Sequence, residues 1–256
     1  YLCENQAWEM ALIRAWQMSQ QGSLVGVIHS TIPFWNTRLL KDERDLNSTD
    51  DFAGMPAPDT FAVNGVAMQK RLLNAGYARN RLQQVEALRY LYLSLVEPTP
   101  NPEFTSLLVL GEYSEVAERH LIDTLVQALN NLKSSTAVVF RAHPTREQPI
   151  PPKLELWTAS QQMSLHQDLT RCSLAICGPS SSAAVDAIGM FRPVIIVDNA
   201  QTLASSPAEG LPGCFSSHSV EGLASEIDSV VAQSQRTNID LGAFFDLDLN
   251  LPLWRD

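Results

Sequence analysis

Two short runs carry the residue types that hold a charged leaving group: Arg141-Ala142-His143-Pro144 and Gly178-Pro179-Ser180-Ser181-Ser182. Arginine brings a permanent cation, and histidine a proton that moves near neutral pH. Serine hydroxyls add donors, and charge-assisted bonds to phosphate are the strong ones. Each run follows an uncharged stretch rich in β-branched or apolar residues, 136–140 and 173–177. Such stretches read as strands buried on both faces of a parallel sheet. Pro144 ends the first strand, because it cannot donate into a ladder and pushes its predecessor out of helical space. One of Ser180, Ser181 and Ser182 is expected to cap a helix over 183–190. A helix start with unpaired N–H groups attracts phosphate. In an open parallel sheet, ligands bind beyond the carboxyl ends of the strands. The spacing therefore predicts two strand-end turns with one anionic group between them.

The elements that position these turns alternate strand and helix. Arg192-Pro193 leads into a strand over 194–198, and 106–110 is another, with Gly111 and Glu112 at its end. An amphipathic helix is expected over 115–132. This alternation with short links predicts a doubly wound α/β layer. Upstream, a helix opens near Glu4 with Trp8, Leu12, Ala15 and Trp16 at helical spacing, and Gly22 ends it. Strands follow over 24–28, 60–63 and 81–86, with His29-Ser30-Thr31 at the end of the first. Between the last two lies a helix over 66–74, stopped by Gly76, with Leu72 and Leu73 on its apolar side. Residues 87–91 read as a turn or short helix. The charged, aperiodic stretch 41–54 reads as a solvated loop. Pro98, Pro100 and Pro102 make a semi-rigid spacer, so a domain boundary is expected near residue 101. Two Rossmann-like halves would then face each other across a cleft.

The composition bounds the function. A chain of 256 residues that is 45% hydrophobic can bury a substantial core. Net charge −10 and pI near 4.9 argue against a nucleic-acid partner and give no general attraction to anionic lipid. Cys3, Cys172, Cys177 and Cys214 lack metal or redox spacing and read as isolated thiols in a reducing cytosol. No His/Asp/Glu cluster has metal spacing, so no metal is expected. No apolar run nears the ~20 residues of a membrane span, and no signal peptide is visible. A chain opening on Tyr1 reads as a fragment of something longer. His120, His166 and His218 stand in contexts that assign them no role.

The segments 108–111, 140–144 and 175–187 resemble the carboxyl-terminal domain of GT-B glycosyltransferases. The His-Pro pair followed by a serine triplet is similar to bacterial CMP-sugar transferases, the sialyltransferases and Kdo transferases of capsule and lipopolysaccharide assembly. The first half, with YLCENQAWE, VGVIHS and PDTFAVNG, looks like surface-carbohydrate biosynthesis proteins of that broad group. The resemblance implies a GT-B fold of two Rossmann-type domains. Residues 1–100 would form an incomplete, acceptor-side domain and 101–237 the nucleotide-sugar-binding domain. A tail over 238–256, with Phe244, Phe245 and Trp254, would pack back on the first.

The activity implied is transfer of Kdo or a sialic-acid-like sugar from a CMP-sugar to a glycan or lipid-linked glycan. The setting would be cytoplasmic, with peripheral membrane or complex association. Gly111, Glu112, Arg141, His143, Pro144, Gly178, Ser180, Ser181 and Ser182 would hold the nucleotide. No cofactor beyond the donor is implied. Transfer also needs a base at the acceptor hydroxyl. Glu4 is the first candidate, Glu9 the second, and His29 an acceptor-side partner. The acidic-acidic-Gly motif of the sialyltransferases has no counterpart, since Asp50-Asp51-Phe52 lacks the glycine. CDP-glycerol-dependent glycerophosphotransferases share an Arg-x-His-Pro-like turn and a later serine pair, and are one alternative. A non-catalytic nucleotide-sugar-binding module is another.

Overall fold

The computed structural model describes residues 1–32, 38–40, 55–97, 106–132, 136–146, 157–160, 163–198, 206–233 and 241–255. The expected loop at 41–54 and the prolines at 98–102 lie outside these residues. The chain divides into two compact units, Tyr1–Leu95 with Asp240–Asp256, and Val96–Ile239.

The first unit is built on three parallel strands, β1 (Val25–Ile28), β2 (Thr60–Val63) and β3 (Leu82–Gln84), in that order. The segment 1–3 runs beside β1: the Cys3 N–H donates to the Val27 carbonyl and the Val27 N–H to the Tyr1 carbonyl, both at 2.8 Å. Helix α2 (Val66–Asn74) spans the expected residues and buries Met68 and Leu72. These pack on Phe61, Val63 and Tyr77. A 3₁₀ stretch, Leu88–Leu95, follows β3.

Helix α1 (Ala7–Ser19) corrects the sequence reading. Its buried residues are Glu9 and Ile13, whereas Trp8 and Leu12 lie on the exposed side. The reason is the chain just before it. Backbone N–H groups of Glu4, Asn5 and Gln6 all donate to the Glu9 carboxylate at 3.0–3.1 Å. That turns the Glu9 side of the helix inward.

The final residues belong to this first unit. The Phe245 ring stacks on Tyr90 with centroids 4.2 Å apart, and both side chains are fully enclosed. The Ala87 N–H donates to the Asp246 carbonyl at 2.8 Å. In α7 (Pro252–Arg255) the Leu253 N–H and the Trp254 indole donate to the Glu86 carboxylate and carbonyl, at 2.8 and 3.0 Å.

The second unit holds six parallel strands in the order β6-β5-β4-β7-β8-β9. They are β4 (Ser106–Leu110), β5 (Ala137–Arg141), β6 (Thr158–Ala159), β7 (Leu174–Cys177), β8 (Val194–Val197) and β9 (Cys214–Ser217). Every residue of β7 and β8 is buried, as their uncharged composition requires. One face carries α3 (Glu115–Leu129) and α6 (Val220–Gln233). There Leu121, Leu125, Leu223 and Ile227 pack on Leu107, Val109, Phe140 and Ile176. Helices α4 (Leu165–Arg171) and α5 (Ala183–Gly189) are the crossovers from β6 to β7 and from β7 to β8. Strand β9 and helix α6 fall in 199–237, to which the sequence reading assigns no element.

Candidate functional site at the strand ends of the second unit

The chain runs outward from β4 to β5 to β6, then returns to place β7 on the other side of β4. The connections therefore diverge between β4 and β7, which is where open α/β sheets form a ligand crevice. Three loops leave the sheet beside this point: 111–114 after β4, 142–146 after β5 and 178–182 after β7.

Their close approach depends on two glycines. The Gly111 N–H donates to the Arg141 carbonyl at 2.8 Å. A Cβ on Gly111 would lie 2.7 Å from Glu118 Oε2 and 3.0 Å from the His143 nitrogen. A Cβ on Gly178 would run into the Glu112 carboxylate, with Cδ at 2.7 Å. The Glu112 side chain is thus laid against the start of the serine turn.

Glu112 is enclosed, and its Oε1 has no hydrogen-bond partner. Burial pushes its pKa up to about 7, the Gly178 N–H opposes that rise, and the neighbouring Glu118 adds to it. A carboxyl raised in the folded state contributes stability below its unfolded value that is lost as pH rises through the folded one. The window runs from an ordinary 4.5 to about 7. Glu112→Gln is therefore expected to be more stable than wild type by about 3 kcal/mol at about pH 8, and near neutral at about pH 4. Urea unfolding at both pH values checks this; a pH-independent difference would contradict it.

His143 is half-buried. Its Nδ1 lies 2.8 Å from Thr145 Oγ1 and accepts the Thr145 N–H at 3.3 Å. An accepting Nδ1 leaves the proton of the neutral ring on Nε2. The exposed Tyr113 ring meets the imidazole edge-on at 5.7 Å. Pro144 is exposed at the turn. Ser180 is exposed, and Ser181 and Ser182 are half-buried. Ser182 takes the N-cap position of α5, as expected of one of the three serines, but makes no side-chain capping bond. Beside the serine turn, burial raises the pKa of the Cys177 thiol well above its ordinary value, and Ser181 opposes that rise.

Arg141 sits elsewhere than the sequence suggests. Its Nη1 donates to Asp168 Oδ2 at 2.6 Å and to the Met163 carbonyl at 2.7 Å, tying β5 to α4 and the residues before it. Three participants escaped the sequence reading: Asp168, Glu118 and Arg146. Glu118 Oε2 accepts the Glu112 N–H at 3.2 Å, and its Oε1 lies 3.7 Å from Arg146 Nη2. Glu118 looks in sequence like an acid placed for the helix dipole. The one available signal was a second arginine close behind the His-Pro pair.

In the first unit, Glu9 is spent bracing the entry to α1, which leaves its carboxylate no part at a reacting centre. Glu4 is exposed, with Oε2 3.8 Å from Arg38 and accepting from the Gln6 side chain at 3.3 Å. His29 follows β1, and register places it beside Asn64 after β2. His29 Nδ1, Thr31 Oγ1 and Asn64 Oδ1 are enclosed without partners. Among the described residues no group of three His, Cys, Asp or Glu is disposed to hold a metal ion. No described helix is long and apolar enough to cross a membrane.

No family model matches the sequence, and no curated protein does. Solved structures do match. Anabaena HepE in complex with UDP-glucose aligns at TM-score 0.52 and 15% identity, over 91% of this chain and 69% of that one. A Listeria monocytogenes protein assigned as a UDP-N-acetylglucosamine 2-epimerase aligns at 0.53 and 13%, over 92% and 74%. A glycosyltransferase from Rickettsia africae aligns at 0.50 and 12%, over 96% and 76%. The chain has the Rossmann-like α/β fold of the GT-B glycosyltransferases.

Proposed function

We propose that the chain is a glycosyltransferase whose second unit binds a nucleotide sugar at the 111–114, 142–146 and 178–182 loops, and that the donor is a CMP-activated acidic sugar of the Kdo or sialic-acid type. The observation that carries this reading is the convergence of the His143 turn, Glu112 and the serine turn at the point where the strand connections diverge. His143 Nε2–H and the serine hydroxyls are donors for a phosphate, and the buried Glu112, with its pKa raised to about 7, is partly protonated near neutral pH. Glu4 and His29 are the proposed acceptor-side groups. A UDP-sugar donor is the second reading, favoured by the UDP-glucose complex of HepE.

Thermal-shift titration with CMP, CDP, UDP and GDP separates these readings. A ligand that binds only the folded state adds about 2.7 kcal/mol at 100 times its dissociation constant. Stabilisation by UDP alone would remove the cytidine donor and keep the transferase. No response to any of the four would remove the nucleotide site. His143→Ala is expected to weaken binding of the stabilising nucleotide about tenfold. Its melting temperature without ligand should hold, because the ring is only half-buried. Unchanged affinity in that variant would leave His143 as a turn residue.

A further inference from the structure

An anion held at these loops needs a cation, and Arg141 is already committed to Asp168 and the Met163 carbonyl. A second guanidinium stands on the turn that carries His143. The Arg146 N–H donates to the His143 carbonyl at 2.9 Å, which fixes its backbone to that turn. Its side chain is only 12% exposed. One terminal nitrogen, Nη2, lies 3.7 Å from Glu118 Oε1, and the other, Nη1, is enclosed with no partner. A buried N–H without an acceptor is costly, and an incoming oxygen recovers that cost.

Glu118 is held firmly enough to orient this guanidinium. Its other oxygen accepts the Glu112 N–H at 3.2 Å, and only glycine at position 111 leaves room for it. One carboxylate on α3 thereby links the loop after β4 to the turn after β5.

We propose that Arg146 binds the phosphate of the nucleotide donor, and that Glu118 is the positioning residue that holds its guanidinium beside the His143 turn. This rests on the reading of the three loops as a nucleotide-sugar site. The charges agree with it. Burial raises the Glu112 pKa to about 7, so near neutral pH it carries only part of a negative charge. Glu118 is compensated by Arg146 itself. Without Arg146, a phosphate would meet an unpaired buried carboxylate and neutral donors only.

The test compares each nucleotide with its nucleoside by titration calorimetry, using CMP and cytidine, then UMP and uridine. Arg146→Gln is expected to weaken the nucleotide about thirtyfold and leave the nucleoside unchanged. Arg146→Lys should recover part of that loss. Glu118→Gln still accepts the Glu112 N–H but releases the guanidinium, and should cost several-fold on the nucleotide alone. A wild-type ratio of nucleotide to nucleoside affinity in Arg146→Gln would overturn the assignment. Should that variant fail to fold, an unchanged ratio in both Glu118→Gln and Arg146→Lys would overturn it equally. Binding of the uridine pair in place of the cytidine pair would move the donor base and leave the ratio as the measure of Arg146. Wild-type protein that binds none of the four would end both this inference and the reading it rests on.

Discussion

Arg192→Ala is expected to lower stability by about 4 kcal/mol, through lost packing and through carbonyls stripped of a donor. The side chain is among the largest that are wholly enclosed, at 1% exposure. Its Nε donates to the Leu169 carbonyl at 3.0 Å and its Nη2 to the Thr170 carbonyl at 3.2 Å. These are carbonyls at the end of α4, where no further turn supplies N–H partners. A cation there also meets the negative end of the helix dipole. The backbone N–H of Arg192 bonds the Ala187 carbonyl of α5 at 2.9 Å. One residue therefore ties the ends of two helices to the start of β8.

Relief of a buried charge works the other way, and apolar replacements of buried ions are sometimes neutral. Here the Leu169 acceptor stays buried and the Thr170 acceptor half-buried after the change, so their desolvation decides the sign. Arg192→Met, which keeps most of the volume, separates the two contributions and should still cost about 2 kcal/mol. Denaturant unfolding measures both; a loss below about 1 kcal/mol in each would show that the carbonyls find other donors.

Gly65→Ala should cost a similar amount, about 4 kcal/mol, by a different route. Gly65 has φ +148°, a conformation that side-chain-bearing residues rarely adopt. Its Cβ would stand 2.5 Å from the Phe244 carbonyl oxygen and 2.7 Å from the Phe245 Cα. Both are backbone atoms, so the tail must move as a piece. Moving it unstacks Phe245 from Tyr90 and breaks the bond from the Ala87 N–H to the Asp246 carbonyl. Phe245→Ala should therefore lose much of the same energy. The double variant should fall well short of the sum, since both changes release one contact set. Additive losses would mean that the glycine and the tail act independently.

The same contrast between near and distant causes runs through the candidate site. Strands β7 and β8 were legible because an uncharged run has no face that water would hold. Helix α2 was legible between Asn64-Gly65 and Gly76, because its start and stop lie in its own sequence. The His143 turn and the serine turn were legible as strand ends for the same local reason. Helix α1 was not. Its period offers two sides, and the choice fell to three backbone N–H groups that draw Glu9 inward.

Arg141 and Arg146 are the same residue type at the two ends of one strand-end turn, and nothing near them in sequence tells which is committed. Asp168, on the helix after the next strand, takes Arg141. Glu118, on the helix before β5, takes Arg146. The tail belongs to the first unit for a like reason, since Phe245 finds its ring partner at Tyr90. Periodicity, turn chemistry and hydropathy act over a few residues, so the sequence alone determined the elements and the loops. Charge pairing and ring packing act between residues that only the sheet register brings together, so tertiary structure alone decided which side chains stay available to a ligand.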